Sequence, residues 1–156
     1  SRSFTTRPRR PQEREGKDYF FVSRDEFKRL LKAKKILEWT RYLGYYYGTP
    51  RQFVDIQLKK GRHLGFCLDL KGAAILKKIY PKNTLTVFVL PPSLKTLKTR
   101  IEGRCKCIEK KEVAQRLRLA RAELLAAPGF DYCILNNNLH AALSELKEII
   151  LARIRS

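Results

Sequence analysis

From Pro50 onward the chain alternates strand-like runs with helical patterns, and this alternation constrains the fold more than any other feature of the sequence. Residues 63–68, 84–90 and 132–135 are short runs rich in branched and aromatic side chains, the composition of buried strands. Between them, Thr49-Pro50-Arg51-Gln52 opens a helix with proline in its first turn, and Gly61 ends it after Lys60. Ser93 caps a further helix to about Gly103, and Val113, Leu117, Ala120 and Leu124 line one face of the next. Residues 139–154 close the chain with apolar side chains at helical spacing. Strands joined through helices imply a parallel sheet covered by helices, with ligands bound beyond the carboxyl ends of the strands.

The first sixty or so residues follow a different pattern. Residues 18–22 read as a strand, and Ser23-Arg24-Asp25-Glu26 is a capping box that opens a helix to about Lys34. Aromatic residues are dense on either side of that helix, which suggests a small antiparallel subdomain inserted beside the parallel core. No internal repeat or low-complexity tract appears.

Lysine and arginine outnumber aspartate and glutamate by 34 to 15, so the formal charge of +19 attracts anions through the field of the whole molecule. The basic residues are spread over every helix and are not gathered with stacking aromatics on one face, so nucleic acid is not the expected partner. No apolar run approaches the ~18 residues that span a bilayer, and the polar N-terminal stretch carries no signal-peptide core. A soluble, cytoplasmic protein is therefore expected. Cys67, Cys105, Cys107 and Cys133 lack the paired spacing of a zinc site and read as free thiols, and His63 and His140 are isolated.

Three stretches could carry chemistry. In "TTRPRR" the prolines stiffen the backbone around Arg7, Arg9 and Arg10, whose guanidinium forks suit bidentate capture of a small phosphate. A solvated basic chain segment is the plain alternative. "EWTRYLGYYYGTP" reads as an aromatic-rich hairpin, yet it also carries Glu38 and Thr49. One carboxylate can accept both N1–H and the 2-amino group of guanine, and a hydroxyl from Thr49 or Ser3 can donate to O6; adenine does not fit that arrangement. A tyrosine hydroxyl, from Tyr19 or Tyr47, can add a donor to a phosphate. "LGFCLDLKGA" reads as a strand that delivers Asp69 at its carboxyl end before Gly72 lets the chain turn into a helix. Arg100, Arg104, Arg116, Arg118 and Arg121 surround a polar bend, either as a solvated helix face or as a lid closing over transferring phosphates.

Taken in order, "SFTTRPRRP", "GKDYFFVSRDEFKRL", "ILEWTRYLGYYYGTPR", "LDLKGA", "VFVLPPSLKTLKTRIEGR" and "FDYCILNNNL" closely resemble the guanylate kinase family over essentially the whole chain. The resemblance implies an α/β fold of the P-loop nucleoside monophosphate kinase type. In it a parallel sheet flanked by helices carries an inserted small mixed-β GMP-binding subdomain and a helical lid. It implies one domain over residues 1–156, with the GMP-binding subdomain at 3–51, the core at 52–99 and 123–156, and the lid at 100–122. The implied activity is phosphoryl transfer from ATP to GMP with Mg2+, giving ADP and GDP, in purine nucleotide metabolism. Monomer and homodimer are both compatible with it.

Carried over position by position, the resemblance puts the GMP phosphate clamp on Arg7, Arg10, Tyr19 and Tyr47, and the guanine readers on Ser3, Glu38, Thr49 and Asp69. It makes Arg104 and Arg116 the catalytic lid arginines, with Arg100 and the adenine-side Asn136 on the ATP side. No residue is assigned as a metal ligand. The departures lie elsewhere. The family's opening strand, G-x-x-x-x-G-K-[ST] loop and helix do not occur in these 156 residues, so the chain as given is expected not to catalyse. Cys67 stands where the family has an acid near magnesium, Cys105 where a lid glycine is common, Lys71 for a frequent glutamine, and Asn137 and Asn138 for aspartates. A non-catalytic module that binds GMP or a phosphopeptide through the same clamp is the alternative these departures suggest.

Overall fold

The computed structural model describes residues 1–103 and 109–155, which form two compact units, 1–81 and 82–156. In the first unit, β1 (Phe4–Thr5), β2 (Phe20–Phe21), β3 (Ile36–Tyr42) and β4 (Tyr45–Pro50) make one sheet in the order β2-β1-β4-β3. β4 runs antiparallel to both β1 and β3, whereas β1 and β2 are parallel, so the sheet is mixed, as the family resemblance implies, and the antiparallel reading of the residues alone is corrected. Leu43, in the left-handed region, and Gly44 make the tight turn between β3 and β4.

Helix α1 (Arg24–Lys32) starts where its capping box predicts: the Ser23 hydroxyl accepts from the Glu26 amide at 3.1 Å. Residues directly opposite on paired strands share a face. Trp39, Arg41, Tyr46, Gly48 and Phe4 therefore line one face, and Glu38, Thr40, Tyr47, Thr49 and Thr5 the other. α1 covers the first face through Phe27, which is fully buried and stacks on Tyr46 with ring centroids 5.4 Å apart. Gly48 permits that approach, because a Cβ there would sit 2.8 Å from Ile36 Cγ2 and 3.0 Å from Phe27 Cζ. The opposite face is left for the site.

α2 (Arg51–Lys59) follows Pro50 as predicted and ends at Gly61, which adopts a positive φ of 67°. Residues 63–68 do not form the predicted strand. Their alternation is present, with Leu64, Phe66 and Leu68 packed against the core of Leu37, Val54 and Leu76, but no strand among the described residues pairs with them. An apolar alternation fixes which side chains turn inward; a strand also needs a ladder partner. Gly72 is likewise not a turn residue. It lies inside α3 (Leu70–Ile79), which begins at Asp69, whose carboxylate caps the Gly72 amide at 2.9 Å.

In the second unit β5 (Val87–Leu90) and β6 (Tyr132–Leu135) pair in parallel, the arrangement that alternating strands and helices predict. A latch precedes the pair, with the Asp131 carboxylate accepting from the Thr86 amide at 2.8 Å and hydroxyl at 2.7 Å. α4 (Leu94–Gly103) is capped by Ser93 through the Thr96 amide at 3.0 Å. α5 (Lys110–Leu124) buries Val113, and α6 (Leu139–Arg155) buries Ala142, close to the predicted boundaries. Among the described residues no helix is long and apolar enough to cross a membrane.

Candidate functional site

The site is built on the face of the first sheet opposite α1, where the start of α3 approaches Glu38. Glu38 leaves β3 and Thr49 leaves the adjacent β4 on that face, both buried. The Thr49 hydroxyl donates to Glu38 Oε1 at 2.6 Å. Burial pushes the Glu38 carboxyl above its ordinary value; hydrogen bonds from Thr49 oppose that rise and the negative charge of Asp69 adds to it. The two carboxylates converge on Gly72: a Cβ built there would lie 3.0 Å from Glu38 Oε2 and 3.4 Å from Asp69 Oδ1. Glycine keeps this corner open.

A second cluster grows from the loop after β1. Arg7 donates from Nη2 to Glu13 Oε1 at 2.6 Å and from Nη1 to the Pro8 carbonyl at 2.7 Å, and both partners of the ion pair are largely buried. Its guanidinium lies 5.5 Å from the Tyr19 ring centroid and 5.9 Å from that of Phe21. Burial lowers the pKa of Arg7, but hydrogen bonds and charge from Glu13 and Tyr47 overcome it and hold the cation more firmly than usual. Tyr19 and Tyr47 meet edge to face at 6.2 Å, and burial raises the Tyr19 phenol. Arg10 is more open, with Nη1 3.7 Å from Glu13 Oε1.

β4 joins the clusters. Tyr47 and Thr49 share a face two residues apart, about 7 Å along a strand, which matches the scale of a phosphate separated from a base by a sugar. Of the predicted readers, Glu38, Thr49 and Asp69 come together, as do Arg7, Tyr19 and Tyr47. Ser3, half-buried, lies beside β1, and its carbonyl accepts from the Phe20 amide at 2.9 Å. The Thr49 hydroxyl has one proton, and it is committed to Glu38.

Glu13 escaped the sequence reading because it sits in the charged run "QEREGKD" with no apolar pattern around it. Its spacing after Arg7 and Arg10, each three residues from the next, was the available signal.

In the second unit, Arg100 donates to the backbone carbonyl of Asn136 at 3.0 Å, bringing these two predicted residues together. Arg116 places Nε and Nη2 on Glu112 Oε1 at 2.9 and 2.7 Å, along its own helix. Arg104, like Cys105 and Cys107, lies outside the described residues. Cys67 and Cys133 are free and exposed. No group of three His, Cys, Asp or Glu side chains able to hold a metal ion occurs among the described residues.

A buried carboxylate, Glu38, with the half-buried Asp69 near it, and an arginine–tyrosine cluster on the same mixed sheet are the features of a nucleotide-binding α/β protein. The guanylate kinase family model matches residues 1–153. The guanylate kinase of Synechococcus sp. (strain JA-3-3Ab) is 42% identical over 148 residues, spanning 95% of this chain and 67% of that protein. That of Thermotoga maritima is 40% identical over 155 residues, spanning 99% of this chain and 72% of the other. The crystal structure of guanylate kinase from Anaplasma phagocytophilum superposes with a TM-score of 0.86 at 31% identity, covering 98% of this chain and 74% of that one. The chain belongs to the guanylate kinase family.

Proposed function

We propose that residues 3–72 form the acceptor site for GMP in ATP:GMP phosphoryl transfer, the activity of a guanylate kinase. Glu38 accepts the adjacent N1–H and 2-amino donors of guanine, Asp69 supports it from the start of α3, Thr49 holds Glu38 in place, and Ser3 donates to O6. Arg7, Arg10, Tyr19 and Tyr47 clamp the phosphate, the arginines through forked donors and the tyrosines through hydroxyls. The observation that carries this reading is the convergence of Glu38, Thr49 and Asp69 at Gly72, on the sheet face that also presents Tyr47.

On the donor side, Arg100, Arg104 and Arg116 neutralise charge on transferring phosphates and Asn136 serves the adenine of ATP, with 100–122 acting as the lid, 52–99 and 123–156 as the core, and 3–51 as the GMP subdomain. Mg2+ belongs to this reading as the cation that ATP carries on its phosphates, and no step is assigned to it. A cytoplasmic setting follows from the same substrates.

The test is calorimetric titration with GMP and AMP. Binding of GMP but not AMP, lost in Glu38→Ala, is expected; equal binding of both nucleotides sinks the assignment of Glu38. A second reading, binding of GMP or a phosphopeptide without turnover, draws on Cys67, an exposed thiol where the family carries an acid and a poor ligand for a hard cation. Production of GDP from GMP and ATP in a coupled assay removes it.

A further inference from the structure

We propose that Glu13 is the positioning residue of the phosphate clamp: its carboxylate fixes Arg7 and the backbone at Arg10 in their receiving geometry without itself touching the phosphate. The inference rests on the GMP reading above. Both oxygens are already committed, Oε1 to Arg7 Nη2 at 2.6 Å and Oε2 to the Arg10 amide at 2.8 Å. Arg10 Nη1 also approaches Oε1 at 3.7 Å. The carboxylate therefore closes the loop between the two arginines that the prolines only stiffen. Arg7 Nη1 rests on the Pro8 carbonyl at 2.7 Å and the guanidinium also hydrogen-bonds the Tyr47 side chain, so the fork is held against the other members of the clamp.

The surroundings of Glu13 are those of a largely buried ion pair. Its side chain is 11% exposed, as is that of Arg7, which sets this pair apart from the exposed ion pairs on α1 and α4. The Arg7 and Arg10 contacts outweigh burial and hold the Glu13 carboxyl below its ordinary value, so the pair is charged at neutral pH. Freezing one arginine side chain costs up to ~2 kcal/mol, equivalent to roughly 30-fold in affinity, and Glu13 has met that cost before the ligand arrives.

The neighbouring loop uses the same device. Asp18 accepts from the Arg14 amide at 2.7 Å and Glu15 from the Phe21 amide at 3.1 Å. Of these three acids, Glu13 combines such a backbone bond with a clamp arginine.

The experiment compares the unsubstituted chain, Glu13→Gln, Arg7→Ala and the double variant, each titrated with GMP and with guanosine, which lacks the phosphate. Glu13→Gln is expected to weaken GMP about 10- to 30-fold and to leave guanosine unchanged, and to have a smaller effect on the Arg7→Ala background, where only the Arg10 contact remains to be lost. Parallel losses for GMP and guanosine would make the role merely structural and overturn the proposal. So would unchanged or tighter GMP binding by Glu13→Gln, the latter showing the carboxylate to be a competitor for the clamp. Absence of GMP binding by the unsubstituted chain overturns the GMP reading and this inference together, whereas normal binding with a silent Glu13→Gln overturns the inference alone.

Discussion

Replacing Thr49 by valine isolates one hydrogen bond. Threonine and valine have nearly the same shape and the site is fully buried, so the change opens no cavity. It removes the 2.6 Å bond to Glu38 and leaves a buried carboxylate short of a donor. A hydrogen bond to a charged group contributes about 1.5–3 kcal/mol, so a loss of about 2 kcal/mol is expected at pH 8, near 30-fold in the folding equilibrium. As the pH falls toward the ordinary glutamate value of 4.5, the neutral form of Glu38 grows and the loss should shrink to about 1 kcal/mol, the value for a neutral pair. Urea unfolding at both pH values, with the slope unchanged between variants, measures this directly. A loss below about 0.5 kcal/mol at pH 8, or one independent of pH, would refute the view that Thr49 holds a charged Glu38.

Guanosine affinity should rise with pH through the window above 4.5 in which Glu38 loses its proton, and Glu38→Gln should flatten that profile; isothermal titration across pH gives the curve. Over the same window the folded state keeps the Glu38 proton longer than the unfolded chain, so this group's contribution to stability falls as pH rises. Gly48→Ala drives a methyl to 2.8 Å from Ile36 and should destabilise by about 1–3 kcal/mol in chemical denaturation. Ser23→Ala removes the cap of α1 and should cost about 1 kcal/mol with guanosine affinity intact, because α1 covers the opposite face of the sheet. Gly72→Ala should change stability little, as the helix gains about 1 kcal/mol that the contact with Glu38 Oε2 offsets, while guanine selectivity over adenine drops in competition titrations.

What could be read from the sequence was what neighbours in sequence decide. Ser23 and Ser93 cap through residues three positions on, and Gly61 ends its helix by its own backbone, so these boundaries agree with the structure. The strand expected at 63–68 failed because pairing belongs to a partner elsewhere in the chain, and the parallel β1–β2 pair was hidden for the same reason. At the site, Glu38 and Asp69 were recognisable as residue types suited to guanine. The direction of the Thr49 proton and the bridging role of Glu13 depend on which atoms meet, and no spacing rule carries that.

The two halves of the site differ in how far apart the chain keeps their members. Arg7, Arg10 and Tyr19 come from one short loop and Tyr47 joins them from β4, whereas Glu38 and Thr49 face each other across one hairpin and Asp69 comes from a later helix start. Contacts between distant positions form late because closing long loops is entropically slow. The two arginines and Tyr19 should therefore gather earlier during refolding than Tyr47 and Asp69 join their partners, so a newly made chain would pass through a stage that holds phosphate weakly without reading the base.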